Sequence, residues 1–454
     1  LMWRHFLQTT SPPPPPDRVA FHPALLHNEI VPFIYECFET KIVTQFPDLS
    51  REMLNVLGAV VCGAHHNALR GICPATVNLV MSVVSLPTVD SAIQSTALKC
   101  FTAMISVLHR SLPHERQIEV TTVLEKLHEV MTEVVSRDQD PDIRVPTLLH
   151  LVHTLQSILT ATHSTQSLQS LMVRAKLVDA LLHTLDQTAD CHKSHMELVI
   201  TIISALNRLV IGSVEGKERM VKVSGYSRIF DCLRLIEAPT KKLLEVLIAM
   251  ITEEEDIICL KDMKLVNSEP LVPFVHWMGE LASDEQVWLA CTLEEICTNS
   301  LQSKATACQS GVMVAVCQLL TSATVDPRAA THLVLLIESL ASYSITAREL
   351  KQLFLLLRTD QEKKNSFRNL LLAAVLNITR KAGLQLHCDS YFDVEDQTDG
   401  ITITDMRKWN GAVYGFSFHC WLRLEPIHVS SPINTPPRRQ IFNFLTTQGT
   451  GIEA

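Results

Sequence analysis

The sequence has few of the residues that a sheet-rich protein needs. It contains only 14 glycines in 454 residues, and aromatic residues make up 6% of the chain. Turns between strands commonly use glycine, and strand faces are enriched in aromatic and β-branched side chains. Apolar residues nevertheless reach 47%. This composition favours a large, leucine-rich helical core.

Basic residues are not in excess, and charged residues of both signs make up only 19% of the chain. Lys and Arg number 39 against 48 Asp and Glu, a formal net charge of −9. Nucleic-acid-binding domains usually carry a basic excess, because phosphate contacts supply much of their affinity. We therefore expect no nucleic-acid partner. The acidic run from Glu253 to Asp256 predicts a solvated helix end or loop, since adjacent residues cannot all face one ion.

Long hydrophobic runs and a disulfide framework are also lacking. No uninterrupted apolar stretch approaches the roughly 18 to 20 residues that cross a bilayer. The first residues, Leu1 to Phe6, do not have the layout of a signal peptide. The 13 cysteines are spread through apolar segments rather than clustered in a short loop-rich region. This distribution predicts reduced, buried thiols in a cytoplasmic protein.

Patterns that would indicate catalysis or metal binding are sparse. The sequence has no G-x-S-x-G elbow, no P-loop and no G-x-G-x-x-G turn. Two sets are the best candidates for metal ligands: Cys191, His192 and His195, and His65 and His66 beside Cys62 and Cys73. Structural zinc uses four ligands, typically in two spaced pairs, and neither set has a second pair. We predict no enzyme activity, no catalytic residue, no cofactor and no metal.

Helical periodicity dominates residues 20–381. Amphipathic segments follow one another with short polar breaks, and we count about fourteen to sixteen helices at roughly 40 residues per helix pair. In one of them, five apolar residues fall on a single face: Val199, Ile202, Ile203, Leu206 and Leu209. A helix pair cannot bury its apolar surface alone, whereas stacked pairs share one core. The predicted fold is therefore an all-α, armadillo- or HEAT-like α-solenoid.

The breaks between helices carry recognisable punctuation. Ser283 to Gln286 predicts a capping box, and Asp326 before Pro327 predicts an N-cap followed by proline in the first turn. Further helix boundaries are expected at Pro113, Pro141 and Pro239.

Two tryptophans are the most visible candidates for a partner-binding site within the helical region. Trp277 and Trp288 flank a turn at Gly279. Exposed tryptophan is common among interface hot spots, but both residues lie on apolar faces. Core packing is the favoured interpretation, and no partner-binding residue is predicted.

The ends of the chain differ from its centre. Residues 1–19 form a proline-rich segment, with five consecutive prolines from Pro12 to Pro16. Residues 382–410 are predicted to be an acidic linker. A calcium loop is not favoured, because the acidic residues lack the spacing of EF-hand ligands. These residues are Asp389, Asp393, Glu395, Asp396 and Asp399.

Residues 411–454 change from helical to strand periodicity. Apolar residues occupy alternate positions from Phe416 to Leu424, which predicts a half-buried strand, and Ile441 to Leu445 offers a second one. Two strands do not make a stable sheet, so we expect further strands beyond Ala454 and a segment prone to disorder or aggregation without them. The chain is thus predicted to be a fragment.

A distinctive run lies near the junction between these two regions, within Leu340 to Arg358: Ala341-Ser342-Tyr343-Ser344-Ile345-Thr346. This run resembles the last solenoid repeat of the neurobeachin group of BEACH proteins. Four further motifs resemble the opening strands of the concanavalin-A-like jelly roll in that family: Lys408-Trp409, Gly415-Phe416, Trp421 and Glu425-Pro426. Two later segments favour the neurobeachin-like subgroup of this family: Arg438 to Phe442 and Gly449 to Ala454. Close resemblance covers about the last 115 residues.

The resemblance implies a large cytoplasmic scaffold that associates peripherally, and indirectly, with vesicle and granule membranes. It places pleckstrin-like, BEACH and WD-repeat regions after these residues. Some family members bind a protein kinase regulatory subunit, but no position here matches that site. The expected function is non-enzymatic protein binding through the solenoid surface in membrane trafficking. An α-solenoid transport adaptor or an enzyme-regulating scaffold outside the BEACH family remains the alternative.

Overall fold

The computed structural model describes most of the helical region and two short strands. The described residues are 31–39, 45–62, 71–86, 89–111, 117–137, 141–160, 165–189, 196–236, 238–254, 263–322, 325–358, 367–385, 443–445 and 451–453. The chain divides into two compact units, Leu1–His387 and Cys388–Ala454.

Nineteen helices are described in the first unit. They are α1 (Val31–Glu39), α2 (Pro47–Cys62), α3 (Pro74–Ser85), α4 (Ser91–Ser111), α5 (Ile118–Ser136), α6 (Pro141–Thr160), α7 (Thr165–Arg174), α8 (Leu177–Ala189), α9 (Met196–Val210), α10 (Val214–Lys222), α11 (Gly225–Leu233), α12 (Lys241–Thr252), α13 (Leu271–Met278), α14 (Ser283–Thr298), α15 (Leu301–Ser310), α16 (Val312–Thr321), α17 (Pro327–Tyr343), α18 (Ala347–Arg358) and α19 (Arg368–Gln385).

The helices stack in two layers. In one layer α2, α4, α6, α9 and α12 pack in succession, and α14, α17 and α19 form a further run. In the other layer α3, α5, α8, α11, α13, α16 and α18 follow one another. Each helix thus contacts its counterpart in the next repeat, which is the pattern of a solenoid. The described part of this unit is consistent with the predicted all-α solenoid.

Several repeats contain a third, short helix. The helices α7, α10 and α15 precede α8, α11 and α16, and a residue with positive φ lies at each junction: Lys176 at 60°, Ser224 at 53° and Gly311 at 77°. The left-handed backbone at that residue turns the chain without a loop. Because Lys176 and Ser224 are not glycine, the sequence gives little sign of these breaks. The predicted count of fourteen to sixteen helices is therefore too low.

An extended segment, Met263 to Ser268, takes the place of the short helix in one repeat. The Asn267 side chain donates to the Tyr226 hydroxyl oxygen in α11 at 3.0 Å. The Leu265 amide donates to the Ser303 hydroxyl in α15 at 3.2 Å. The segment therefore joins the repeats on either side of it, as a helix would. Its side chains alternate between buried and exposed positions, which is the period of extended backbone.

The helix ends follow the predicted punctuation with one correction. Asp326 caps α17, since its carboxylate accepts from the Arg328 amide at 2.8 Å, and Pro327 opens the helix as predicted. The capping box at Ser283 is wrong: Ala282 is the N-cap of α14 and makes no side-chain cap. The Gln286 side chain instead accepts from the Asp326 amide at 2.9 Å, because this buried residue faces the next repeat.

The core extends through the stack without interruption. All five residues of the predicted apolar face on α9 are buried. Leu198, Ile200 and Ala205 on other sides of the same helix are buried as well. A helix that is apolar all round is one that neighbours surround on every side. Thus α9 lies at the centre of the stack.

The second unit contains a short antiparallel pair of strands, β1 (Asn443–Leu445) and β2 (Gly451–Glu453). Phe444 lies opposite Ile452. Strand β1 falls within the predicted strand from Ile441 to Leu445. The predicted strand from Phe416 to Leu424 lies outside the described residues, as does the acidic linker predicted at 382–410 except for residues 382–385, which are helical and end α19. The jelly-roll assignment stays a prediction.

Candidate functional site

Most of the candidate metal ligands fall outside the described residues. This holds for Cys191, His192 and His195, and for His65 and His66. Among the residues whose placement is described, no group of three or more His, Cys, Asp or Glu side chains could hold a metal ion.

The two tryptophans pack in the core. Trp277 is 2% exposed, and its ring centroid lies 5.9 Å from that of Phe230 and 6.3 Å from that of Phe274. Trp288 is partly buried against the same core. Phe230 belongs to α11, whereas Phe274 and Trp277 belong to α13, so the aromatic cluster joins two repeats. The packing interpretation of Trp277 and Trp288 is confirmed.

The start of the acidic run is a junction between repeats rather than a solvated end. The Glu253 carboxylate accepts from the Gly212 amide at 3.1 Å and contacts the Lys217 ammonium. A cavity of about 10 Å³ lies beside it, lined in part by Asn207 and Tyr226. This volume is room for a single water molecule at most, so it is not a ligand pocket. Glu254 is exposed, and Glu255 and Asp256 lie outside the described residues.

The described cysteines are free thiols in largely apolar surroundings. Burial raises the pKa of Cys297 to about 12, and burial likewise raises the pKa of Cys62 to about 12. Cys73, which precedes α3, differs. Hydrogen bonds, including a 3.2 Å contact with the Thr76 hydroxyl, hold its pKa below the usual value despite the opposing effect of burial. Since the thiolate is the nucleophile, most of these cysteines are poor nucleophiles.

Within the described ranges, one helix is long and apolar enough to cross a membrane. It is the stretch Ser91 to Arg110 of α4, with a mean hydropathy of 1.2. More than half of the most apolar 18 residues of that stretch is buried, and α4 packs against α2, α3 and α6. A core helix passes the same test of length and composition, and packing on several sides is what such a helix shows.

Charged side chains cross-link the middle repeats. We call three of these pairs the central ladder: Asp179 with Arg219, Asp186 with Arg228, and Arg234 with Glu280. The first pair is bidentate, with Nε to Oδ2 at 3.1 Å and Nη2 to Oδ1 at 2.6 Å. Each pair joins residues about one repeat apart in sequence. The central ladder therefore occupies charges that would otherwise be available to a partner.

The last two helices present a different surface. We define the terminal surface by the exposed side chains of α18 and α19: Arg348, Leu350, Lys351, Phe354, Arg358, Arg368, Leu372, Leu376 and Arg380. Phe354 is 52% exposed and Leu376 is 57% exposed. Sequence reasoning missed this surface. The available signal was that α18 contains five consecutive apolar residues, Leu353 to Leu357, which cannot all face the core, and a single acid, Glu349, among three basic residues.

The residues that resemble the BEACH proteins build the entry to α18. The Thr346 amide donates to the Glu349 carboxylate at 2.7 Å, and the Glu349 amide donates back to the Thr346 hydroxyl at 3.3 Å. This reciprocal arrangement is a capping box. Glu349 is 5% exposed, and the Cys308 thiol donates to the Leu340 carbonyl at 3.6 Å nearby. The motif therefore has a structural role in ending α17 and starting α18.

Comparison with curated proteins gives a relative whose alignment covers most of the chain. No protein-family profile matches the chain. The BEACH domain-containing protein B of Arabidopsis thaliana is 21% identical over 373 residues, which cover 80% of this chain. This alignment supports a BEACH-family relation. Because the second unit begins only at Cys388, the aligned region must include most of the helical unit. The relation to BEACH proteins therefore extends beyond the resembling residues near Arg358.

The aligned region spans only 13% of that BEACH protein. Two crystal structures of engineered proteins also show partial similarity. One covers 64% of this chain and 91% of its own at 13% identity, with a TM-score of 0.27. The other covers 72% of this chain and 95% of its own at 14% identity, with a TM-score of 0.24.

Proposed function

We propose that this chain is a scaffold segment of a BEACH-family protein that acts in vesicle or granule membrane trafficking. The segment binds other proteins through its solenoid surface and performs no catalysis itself. The observation that carries the proposal is the alignment with a BEACH domain-containing protein over 80% of the chain. The neurobeachin-like assignment is a finer part of the same proposal and rests on the residues from Leu340 to Ala454.

The use of polar side chains supports a scaffold. Asp179, Arg219 and Glu253 connect neighbouring repeats instead of converging on a cleft. Trp277 and Cys297 are buried in packing positions. A stack of repeats held together in this way offers a long surface for protein binding, which is the usual role of solenoids.

The proposed setting is the cytoplasm, with peripheral attachment to vesicles or other endomembranes. Other proteins are the proposed partners, and nucleic acid is not among them, in keeping with the net charge of −9. A protein kinase regulatory subunit is a partner suggested by the family resemblance alone.

Affinity purification from cells tests the proposal. The tagged 454-residue chain is recovered together with its partners, which are identified by mass spectrometry. We expect proteins of vesicle or granule membranes to be enriched. A matched variant, Phe274→Ala, weakens the stack at the Phe230 contact and should lose partners that recognise the folded surface. The comparison is made at a temperature where circular dichroism shows the variant unfolded and the parent chain folded, and partners retained equally by both are non-specific.

Two outcomes contradict the proposal. Recovery of nuclear-import cargo without vesicle proteins indicates a transport adaptor. Recovery of phosphatase subunits without vesicle proteins indicates an enzyme-regulating scaffold. Either result assigns the solenoid to a function outside BEACH-type trafficking.

A further inference from the structure

We propose that the terminal surface binds directly to an anionic lipid membrane. The proposal deepens the trafficking function and takes its cellular setting from it, although the binding itself depends only on the residues of α18 and α19. A lipid surface of this kind would contact the end of the solenoid without an intervening protein.

Helix α18 carries the centre of the surface. Its inner face is formed by Glu349, Leu353 and Leu356, which are buried. Phe354 lies on the opposite face, one helical turn from both Lys351 and Arg358. All three of these side chains are exposed. An aromatic ring thus projects outward with a positive charge on either side of it.

Helix α19 repeats the arrangement. Leu371, Ala374 and Ile378 are buried on its inner face. Leu372 is 44% exposed and Leu376 is 57% exposed on the outer side. Arg380 follows Leu376 by one turn and is exposed. Both helices therefore place large apolar side chains next to arginine or lysine on a face that no described residue covers.

The charge of this region is opposite to that of the chain. Helices α18 and α19 contain one acid, the buried Glu349, and six basic residues. The basic residues are Arg348, Lys351, Arg358, Arg368, Arg380 and Lys381. Lys381 pairs with Glu338 of α17 at 3.1 Å, whereas among residues with described placement neither Lys351 nor Arg358 forms an ion pair. The connecting residues 359–366 contain two acids and two lysines and add no net charge. The terminal surface is positive within a protein whose formal charge is −9.

The mixture of residue types favours lipid over a protein partner. The buried centre of a protein interface is depleted in charged residues, and in lysine especially. On the terminal surface, Lys351 and Arg358 lie on both sides of the exposed Phe354 ring. Leucine and phenylalanine interleaved with lysine and arginine are what a membrane interface accommodates, because long basic side chains reach the headgroups while the apolar ones enter the acyl boundary.

Vesicle flotation with the purified 454-residue chain tests the proposal. The probe is phosphatidylcholine vesicles with about one third phosphatidylserine, and pure phosphatidylcholine vesicles are the reference. We expect binding to the anionic vesicles alone at about 0.1 M salt and its loss near 1 M, because the screening length falls from about 10 Å to about 3 Å. Equal binding to both vesicle types, or none to either, overturns the proposal.

Substitutions locate the binding site. Lys351→Ala combined with Arg358→Ala should lower the affinity about 25-fold, since each basic side chain near an anionic surface contributes about fivefold. Phe354→Ser should lower it about tenfold through the lost apolar insertion. Circular dichroism should show unchanged helix content in these variants, because the replaced side chains are exposed.

Matched controls separate the terminal surface from charge and apolarity in general. Lys241→Ala combined with Lys242→Ala removes two exposed basic residues from α12, and Leu301→Ser removes an exposed apolar residue from α15. Both controls should bind the vesicles within about twofold of the parent chain. Equal losses in the control and test variants overturn the assignment to α18 and α19.

A protein partner would give a different result. Lys351-dependent binding to a polyglutamate peptide, without flotation on anionic vesicles, would assign the surface to an acidic protein and overturn the lipid proposal. Failure of vesicle binding leaves the scaffold function standing, because purification of partners measures protein contacts. Conversely, the chain could bind nuclear-import cargo and still float with anionic vesicles. That result would contradict only the trafficking function, and the membrane-binding proposal would stand.

Discussion

The middle repeats and the last two helices differ in what their charged side chains contact. In the central ladder, Asp179 pairs with Arg219 and Asp186 pairs with Arg228 across neighbouring repeats. In α18, Lys351 and Arg358 are exposed and pair with no residue of the described part of the chain. Charges in the middle of the stack therefore stabilise repeat contacts. At its end Lys381 does the same by pairing with Glu338 at 3.1 Å, whereas Lys351 and Arg358 have no such partner among the described residues.

Apolar side chains show the same contrast. Helix α9 buries side chains on every side, because helices of adjacent repeats surround it. Helices α18 and α19 are less hydrophobic than α9, yet their large apolar side chains Phe354, Leu372 and Leu376 are exposed. Terminal repeats of solenoids usually present a polar outer face that keeps them soluble. These two helices do not, which is the contrast on which the proposal of a membrane-binding surface rests.

The largest expected effect is on the aromatic cluster of the middle repeats. Phe274 is fully buried, and its ring lies 5.7 Å from that of Phe230 in an edge-to-face arrangement. Phe274→Ala should lower the free energy of unfolding by about 3 to 5 kcal/mol, through lost burial and the cavity that remains. Urea denaturation followed by circular dichroism measures this. Phe274→Leu is the control and should cost about 1 kcal/mol; equal costs for both variants contradict the packing argument.

The sequence predicts the helical layers well because burial imposes a period on the side chains. Val199, Ile202 and Leu206 recur at helical spacing, and all three lie in the core. Asp326 and Pro327 likewise predict a helix start from local chemistry alone. These features depend on residues close together in the sequence, so they can be inferred without knowledge of the stack.

The inter-repeat contacts and the candidate site could not be predicted in the same way. Gln286 has the spacing of a capping residue, but its side chain bonds to Asp326 of the next repeat. Whether Phe354 is buried or exposed depends on whether another repeat covers α18, which periodicity does not reveal. The breaks at Lys176 and Ser224 use residues that seldom adopt positive φ. Each case depends on tertiary neighbours rather than local pattern.

A moderate effect is expected at the boundary between the two regions. Thr346→Ala removes the hydroxyl that accepts from the Glu349 amide and leaves a buried carboxylate with fewer partners. The free energy of unfolding should fall by about 1 to 2 kcal/mol, the usual cost of an N-cap with a buried partner. Thr346→Ser keeps the hydroxyl and should change it by less than about 0.5 kcal/mol. Urea denaturation measures both variants. If Thr346→Ala and Thr346→Ser lower the free energy of unfolding equally, the Thr346 hydroxyl contributes little to the stability of α18.

A smaller effect is expected from the central ladder. A double-mutant cycle with Asp179→Asn and Arg219→Gln should give a coupling energy of about 1 kcal/mol, because the pair is bidentate but about one third exposed. The coupling should shrink as salt is added. The pair Asp231 with Arg234, within one helical turn, is the control and should couple by less than about 0.5 kcal/mol. Equal coupling energies would mean that joining two repeats gives the ladder no advantage.

The smallest effect on stability is expected at the terminal surface. Phe354 is 52% exposed, so Phe354→Ala removes few buried contacts and should change the free energy of unfolding by less than about 0.5 kcal/mol. The same substitution at Phe274 should cost several times more, because that ring is fully buried. Urea denaturation of the two variants under identical conditions gives the ratio directly. A cost for Phe354→Ala close to that of Phe274→Ala would mean that the ring is packed against another part of this chain, and the terminal surface would then be interior rather than available to a membrane.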